Sequence, residues 1–298
     1  MPVGYVLIIG AMKCGTTTLF NLLSQHPAVA PCALKEPGFF AFDDVYANGM
    51  EWYEALFDVD HGVTRYLLDG STDYTKQPYF PDAPQRIARL KGDVRLIYLM
   101  RDPLKRAESH ALHVATNQVE LDRTRRLDPP YGGLADGLPP SCLNIGRYAT
   151  QLDPYKEYFD RGALMLGALE ELSADPQSFA DRAFAFLGLE SCPVSFSKDI
   201  ANERRYERAT GEAHRAWSTL RSIAPLREAV KRVIPDESRH RLRARMAPKE
   251  KVEGRFELNE DERREVMATL NPELDRLRSE YGFDPDACWD LRPYRPKA

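Results

Sequence analysis

Residues 5–25 read Tyr5-Val-Leu-Ile-Ile-Gly10, Ala11-Met-Lys-Cys-Gly-Thr-Thr-Thr18 and Leu19-Phe-Asn-Leu-Leu-Ser-Gln25. The first piece is a short apolar run with β-branched residues, the pattern of a buried parallel strand. The last piece places Leu19, Leu22 and Leu23 at helical spacing. Between them lies a glycine-bounded loop with one lysine and three hydroxyls. Such a strand, loop and helix N-terminus make an anion site. The N–H groups point outward, the helix dipole favours negative charge, and glycine lets the backbone approach closely.

The position of the lysine separates this loop from its commonest relative. A Walker A loop runs G-x-x-x-x-G-K-[ST]. Gly10 and Gly15 keep the glycine spacing, but Thr16 stands where the lysine belongs, and Lys13 precedes the second glycine. A kinase or ATPase with this loop would lack its contact to the β- and γ-phosphates.

Further strands are expected at Ala28–Ala30, Arg65–Asp69, Val94–Met100 and Ala163–Gly167. Helices are expected over Met50–Phe57, Pro81–Lys91, Pro103–Asn117, Tyr148–Phe159 and Asp175–Leu187, and near 218–232, 236–245 and 259–281. Asp102 suits an N-cap and Pro103 a first helical position. Strands alternating with helices predict an α/β fold. It is a P-loop-like parallel sheet of about five strands flanked by helices, with a mostly helical C-terminal part. Residues 1–298 read as one domain, since no linker interrupts them. The stretch Val119–Leu143, rich in Arg, Pro and Gly, reads as an irregular functional loop.

Composition narrows the classes. No apolar run reaches the roughly 20 residues of a membrane helix, so no membrane span is expected. Residue 1 leads into the first strand without a charged n-region or cleavable h-region. The five cysteines are scattered and lack C-x-x-C spacing. Both features point to a cytoplasmic protein with reduced thiols. The six histidines show no ligand spacing, so no metal is expected. Net charge is −4, yet residues 201–255 hold 15 Lys or Arg against 8 Asp or Glu. That excess fits an anion-facing surface or a solvated helical face, while the acidic remainder argues against nucleic acid as a partner.

In an open parallel sheet, ligands bind at the carboxyl ends of strands. Three polar sites fall there: the Gly10–Thr18 loop, the loop Gly70-Ser-Thr-Asp-Tyr74, and Arg101. Ser109, about two helical turns beyond Arg101, can share a phosphate with its guanidinium fork, although the pair taken alone reads rather as an Arg paired with a neighbouring Asp and an uninvolved Ser.

Three motifs occur in order: Ile8-Ile-Gly-Ala-Met-Lys-Cys-Gly-Thr-Thr-Thr-Leu19, Lys35-Glu-Pro-Gly-Phe-Phe40, and Arg101-Asp-Pro-Leu-Lys-Arg-Ala-Glu-Ser109. Together they resemble the PAPS-dependent sulfotransferase family, where PAPS is 3′-phosphoadenosine 5′-phosphosulfate. The branch is that of heparan sulfate N- and 3-O-sulfotransferase domains and bacterial relatives. Glu170–Pro176 and Phe186–Leu189 resemble later family segments, and the similarity weakens towards Trp289.

The resemblance implies roles. Lys13 would touch the bridging and sulfuryl oxygens. Cys14, Gly15, Thr16, Thr17 and Thr18 would hold the 5′-phosphate, and Arg101 and Ser109 the 3′-phosphate. Glu36 would be the general base, with His110 in reserve. Alone, Glu36 would read as a surface carboxylate beside Lys35. The acceptor, a glycan or small molecule, would meet Lys35, Phe39, Phe40, Asp73, Tyr74, Tyr79 and His110, although these aromatics also suit a core.

Two departures stand out. The family's lysine before Thr-Pro has no counterpart in Asp69–Tyr74. The late donor loop is not reproduced; its nearest match is Lys249-Glu-Lys251-Val-Glu-Gly-Arg255, which makes Lys251 and Arg255 the candidates for that donor contact. Both losses argue against a strongly anionic glycosaminoglycan acceptor. The competing readings are a P-loop kinase or NTPase, with Asp69 as its nearest Walker B carboxylate, and an inactive nucleotide-binding protein.

Overall fold

The computed structural model describes residues 3–116, 137–196 and 256–295. The expected helices near 218–232 and 236–245, Lys251 and Arg255, and most of the 119–143 stretch lie outside the described residues.

Five strands form one sheet: β1 (Gly4–Gly10), β2 (Val29–Pro31), β3 (Tyr66–Asp69), β4 (Val94–Met100) and β5 (Leu164–Ala168). Their order is β2-β3-β1-β4-β5, and every neighbouring pair is parallel. Tyr5 pairs with Leu67 on one side and Val94 on the other. All seven residues of the central strand β1 are buried. Its residues alternate between two cores, as the period of two requires. Tyr5, Leu7 and Ile9 enter one core, Val6 and Ile8 the other.

Helices α1 (Thr16–Leu23), α2 (Asp43–Tyr46), α3 (Gly49–Glu54), α4 (Ala83–Ile87) and α5 (Pro103–Thr116) lie between the first four strands or after β4. Asp102 Oδ1 accepts the Leu104 and Lys105 N–H groups at 2.9 and 3.1 Å, which starts α5 as expected. Helix α6 (Pro140–Gly146) begins inside the stretch expected to be irregular. The single helix expected over Tyr148–Phe159 is three pieces: α7 (Tyr148–Leu152), a 3-10 turn Asp153–Tyr155, and α8 (Lys156–Asp160). Pro154 lacks the N–H that would continue the helical ladder, and the backbone leaves the helical region at Tyr155, with φ −110° and ψ 11°.

Helix α9 (Leu169–Ala174) follows β5, and α10 (Pro176–Phe186) is capped by Asp175, which accepts Ser178 N–H at 3.0 Å. The long α11 (Glu260–Tyr281) has a capping box in which Asn259 accepts two N–H groups and Glu262 returns the bond. It buries Val266, Met267, Leu270, Leu274 and Leu277 in the first core. Glu273 fastens α11 to α7 through Thr150 N–H and Oγ, both at 2.8 Å. No helix of the described residues is long and apolar enough to cross a membrane.

Candidate active site

Parallel pairing brings the loops after β1, β3, β4 and β5 to one edge of the sheet. Gly10 ends β1 because the polypeptide after β3 presses against it. A Cβ there would lie 2.1 Å from Thr75 Oγ1 and 2.6 Å from Tyr98. The contact is productive, since Thr75 Oγ1 donates to the Ile9 carbonyl at 2.6 Å. Gly15 caps α1 in the left-handed region, with φ 83°. It offers no side-chain cap, and the first turn of α1 holds no acidic residue. The positive end of α1 is therefore left for a bound anion. Lys13 has φ 70°, a backbone state rare for a residue with a side chain. Such outliers concentrate at ligand sites.

The hydroxyls of this loop differ in access. Thr16 is buried, while Thr17 and Thr18 are part-exposed. The Cys14 side chain faces the core, 3.7 Å from the Tyr148 hydroxyl, and burial pushes its thiol up to about 11. Its N–H donates to the Ala11 carbonyl at 3.2 Å. The expectation that Cys14 holds a phosphate is therefore corrected: it braces the loop from below.

Arg101 stands at the carboxyl end of β4 and is part-exposed, as is Ser109 on α5. The Tyr148 hydroxyl donates to the Arg101 carbonyl at 2.7 Å. Beneath them Arg106 is fully buried. It donates to the Cys142 carbonyl and, at 3.4 Å, to His110 Nδ1. Its Nε has no hydrogen-bond partner, and no ion pair joins it to a described residue.

His110 is held neutral, its pKa well below the ordinary value. Burial is the main cause, followed by the charges of Arg106, His113, Lys76 and Lys13. Arginine only donates, so His110 Nδ1 accepts and the ring proton sits on Nε2. In this tautomer the ring offers a donor and no spare lone pair, which removes His110 as reserve base. Its ring resonances are expected to keep neutral-tautomer positions in an NMR titration through the pH range in which an ordinary histidine protonates. A midpoint near the ordinary histidine value would overturn this assignment.

Glu36 lies on a loop tied to the end of β3. The Lys35 carbonyl accepts Gly70 N–H at 2.9 Å, and Ser71 Oγ accepts Gly38 N–H at 2.9 Å. The Glu36 side chain is 35% exposed and paired with the Lys35 ammonium. It is open enough to meet a substrate.

The expected acceptor aromatics are elsewhere. Phe39, Phe40 and Tyr74 are fully buried. Phe39 stacks on Tyr53 with centroids 4.6 Å apart, and Phe40 meets Tyr74 edge-on at 5.5 Å. They form core between the Glu36 loop and the sheet, because aromatic area gains more by burial than by lining a wet groove. Tyr79 is part-exposed and accepts from Asn144 Nδ2 at 3.0 Å.

Asp69 is also core. It accepts Ser71 N–H and Oγ at 2.8 and 2.6 Å, and the Tyr53 and Tyr74 hydroxyls at 3.0 and 2.6 Å. Both oxygens are committed, so it is no counterpart of a Walker B carboxylate. Burial still raises its pKa to about 6, although these four bonds pull the other way.

Asp73 pairs with Lys76 at 2.7 Å, both nearly buried. Sequence reasoning missed Lys76, which lies just beyond the loop that lacks the family's lysine. Its charge and that of Lys13 both bear on His110. Arg106 and Tyr148 were missed too. The sequence signal for Arg106 was its place inside the Arg101–Ser109 motif; Tyr148 carried none. Among the described residues, no group of three or more His, Cys, Asp or Glu could hold a metal ion.

Comparison with known proteins agrees with this arrangement. The family described as Sulfotransferase domain matches residues 4–210. Human heparan sulfate glucosamine 3-O-sulfotransferase 6 is 33% identical over 192 residues, covering 62% of this chain and 52% of that protein. Bifunctional heparan sulfate N-deacetylase/N-sulfotransferase 4 of Mus musculus is 29% identical over 198 residues, covering 61% and 22%. The chain thus spans about half the length, or less, of these curated relatives. The crystal structure of a sulfotransferase from Alicyclobacillus acidocaldarius superposes with a TM-score of 0.62 at 20% identity, covering 96% of this chain and 99% of that one. That likeness is one of fold, and the family match spans the loops that carry Lys13, Glu36, Arg101 and Ser109. The chain therefore belongs to the sulfotransferase domain family.

Proposed function

We propose that the chain transfers a sulfuryl group from PAPS to a hydroxyl of a glycan or small-molecule acceptor. The observation that carries this reading is Lys13, held at positive φ between β1 and the uncapped start of α1. There one cation and the first-turn N–H groups meet at a single anion site.

The donor's 5′-phosphate rests on the N–H groups and hydroxyls of Gly15–Thr18. Arg101 and Ser109 take the 3′-phosphate. Glu36 accepts the proton of the acceptor hydroxyl as its oxygen attacks sulfur, because a neutral alcohol is a poor nucleophile. The S–O bond to the 5′-phosphate breaks in line, and adenosine 3′,5′-bisphosphate leaves. Lys13 neutralises charge on the sulfuryl and bridging oxygens. Positioning and charge stabilisation supply the rate, as in phosphoryl transfer. The curated relatives are heparan sulfate enzymes by name, which supports a glycan acceptor. The kinase reading is disfavoured because Asp69 is saturated with donors.

Isothermal titration without added metal tests the donor class. Adenosine 3′,5′-bisphosphate is expected to bind at least about tenfold more tightly than ATP, a difference of roughly 1.4 kcal/mol. A preference for ATP would sink the proposal.

A further inference from the structure

We propose that the Tyr148 hydroxyl is a positioning group that sets the span between the two phosphate sites of the donor. This rests on the donor reading above. The Tyr148 ring is fully buried, edge-on to Tyr98 and tilted against Trp289, with both centroid distances 6.1 Å. A ring so enclosed fixes where its oxygen sits. That oxygen donates to the Arg101 carbonyl at 2.7 Å, lies 3.4 Å from the Arg101 nitrogen, and is 3.7 Å from Cys14 Sγ. Arg101 belongs to the 3′-phosphate side. Cys14 sits between Lys13 and Gly15 on the 5′ side. One atom therefore touches the backbone of one phosphate site and the underside of the other.

A second brace supports the first. Asp102 N–H donates to Glu170 Oε1 at 3.3 Å, and Glu170 Oε2 accepts Trp289 Nε1–H at 2.9 Å. Trp289 in turn packs on Tyr148. These contacts join the ends of β4 and β5 to the C-terminal segment, and they work without touching nucleotide. Their effect is on spacing. A ligand with two phosphates gains from its second contact only when the sites are correctly separated. A ligand with one phosphate does not sense that separation.

The test is Tyr148→Phe, which removes one oxygen and keeps the ring. Affinities for adenosine 3′,5′-bisphosphate and for AMP are measured by titration calorimetry, alongside the thermal midpoint. The bisphosphate is expected to weaken about tenfold while AMP stays within about twofold. Tyr155→Phe is the control. It removes an equally buried hydroxyl, bonded to the Tyr74 carbonyl at 2.6 Å, and is expected to lower stability without changing the affinity ratio. Should Tyr148→Phe not fold, Cys14→Ala loosens the same contact from the loop side and carries the same expectation. An unchanged ratio, or an equal change in the Tyr155 control, overturns the proposal. If the wild-type chain itself fails to bind the bisphosphate, the donor reading is what has failed.

Discussion

Glu36→Gln is expected to lower turnover by about 10²- to 10⁴-fold, the usual contribution of a positioned general base. Glutamine keeps the shape and one acceptor oxygen but cannot take a proton. Binding of adenosine 3′,5′-bisphosphate should be unchanged, because Glu36 lies on the loop tied to β3, apart from the residues assigned to either phosphate. The loss should therefore appear in kcat. The Lys35 ion pair adds a control. Lys35→Met leaves the carboxylate able to accept a proton but loosens its orientation, so a smaller loss is expected. If Glu36→Gln turns over within a few-fold of the wild type, Glu36 is not the base. His110 does not replace it, because Arg106 already engages its Nδ1 lone pair.

The largest expected stability effect is at Asp69. Asp69→Ala strands two tyrosine hydroxyls, a serine hydroxyl and one N–H in a fully buried place. Each stranded buried donor costs roughly 1–3 kcal/mol, so a loss of at least about 4 kcal/mol is expected. The pH dependence gives the mechanism a sign. The folded-state pKa is raised to about 6 by burial. The carboxyl's contribution is thus fullest below its ordinary pKa and is lost as pH rises through about 6. The deficit of Asp69→Ala against wild type should be larger at about pH 5 than at about pH 7.5. Any contribution of His110 to the pH dependence is common to both proteins and cancels. Urea unfolding at the two pH values measures this, and a deficit that grows towards neutral pH would show that burial is not the dominant influence on Asp69.

Much of the fold was legible because it is encoded locally. The β1–loop–α1 unit and the Asp102-Pro103 start of α5 each depend on a few adjacent residues. Backbone dihedrals and first-turn N–H groups answer to near neighbours, so such units can be read from consecutive letters. The helix expected over Tyr148–Phe159 failed on the same ground, since Pro154 is a local signal that outweighed the apolar spacing around it.

The site was legible only in part. Aromatic residues beside a polar motif can line a groove or fill a core, and the letters Phe39-Phe40 are the same in both cases. Burial decided it, through Tyr53 and Tyr74, which come from other elements. The family resemblance implies a phosphate contact for Cys14, yet its side chain points to Tyr148, 134 residues away.

The sequence by itself determined the alternation of five strands with helices and the anion-binding loop with its displaced lysine, while Glu36, Arg101 and Ser109 became candidates through the family resemblance of their motifs. The strand pattern and the loop are short-range, and steric and hydrogen-bonding rules act on them directly. Only the tertiary structure decided that Asp69 is saturated, that His110 is neutral, and that Tyr148 and Trp289 brace the site. Each depends on burial and on partners distant in the chain. Desolvation and packing belong to the assembled core, so no run of consecutive residues carries them.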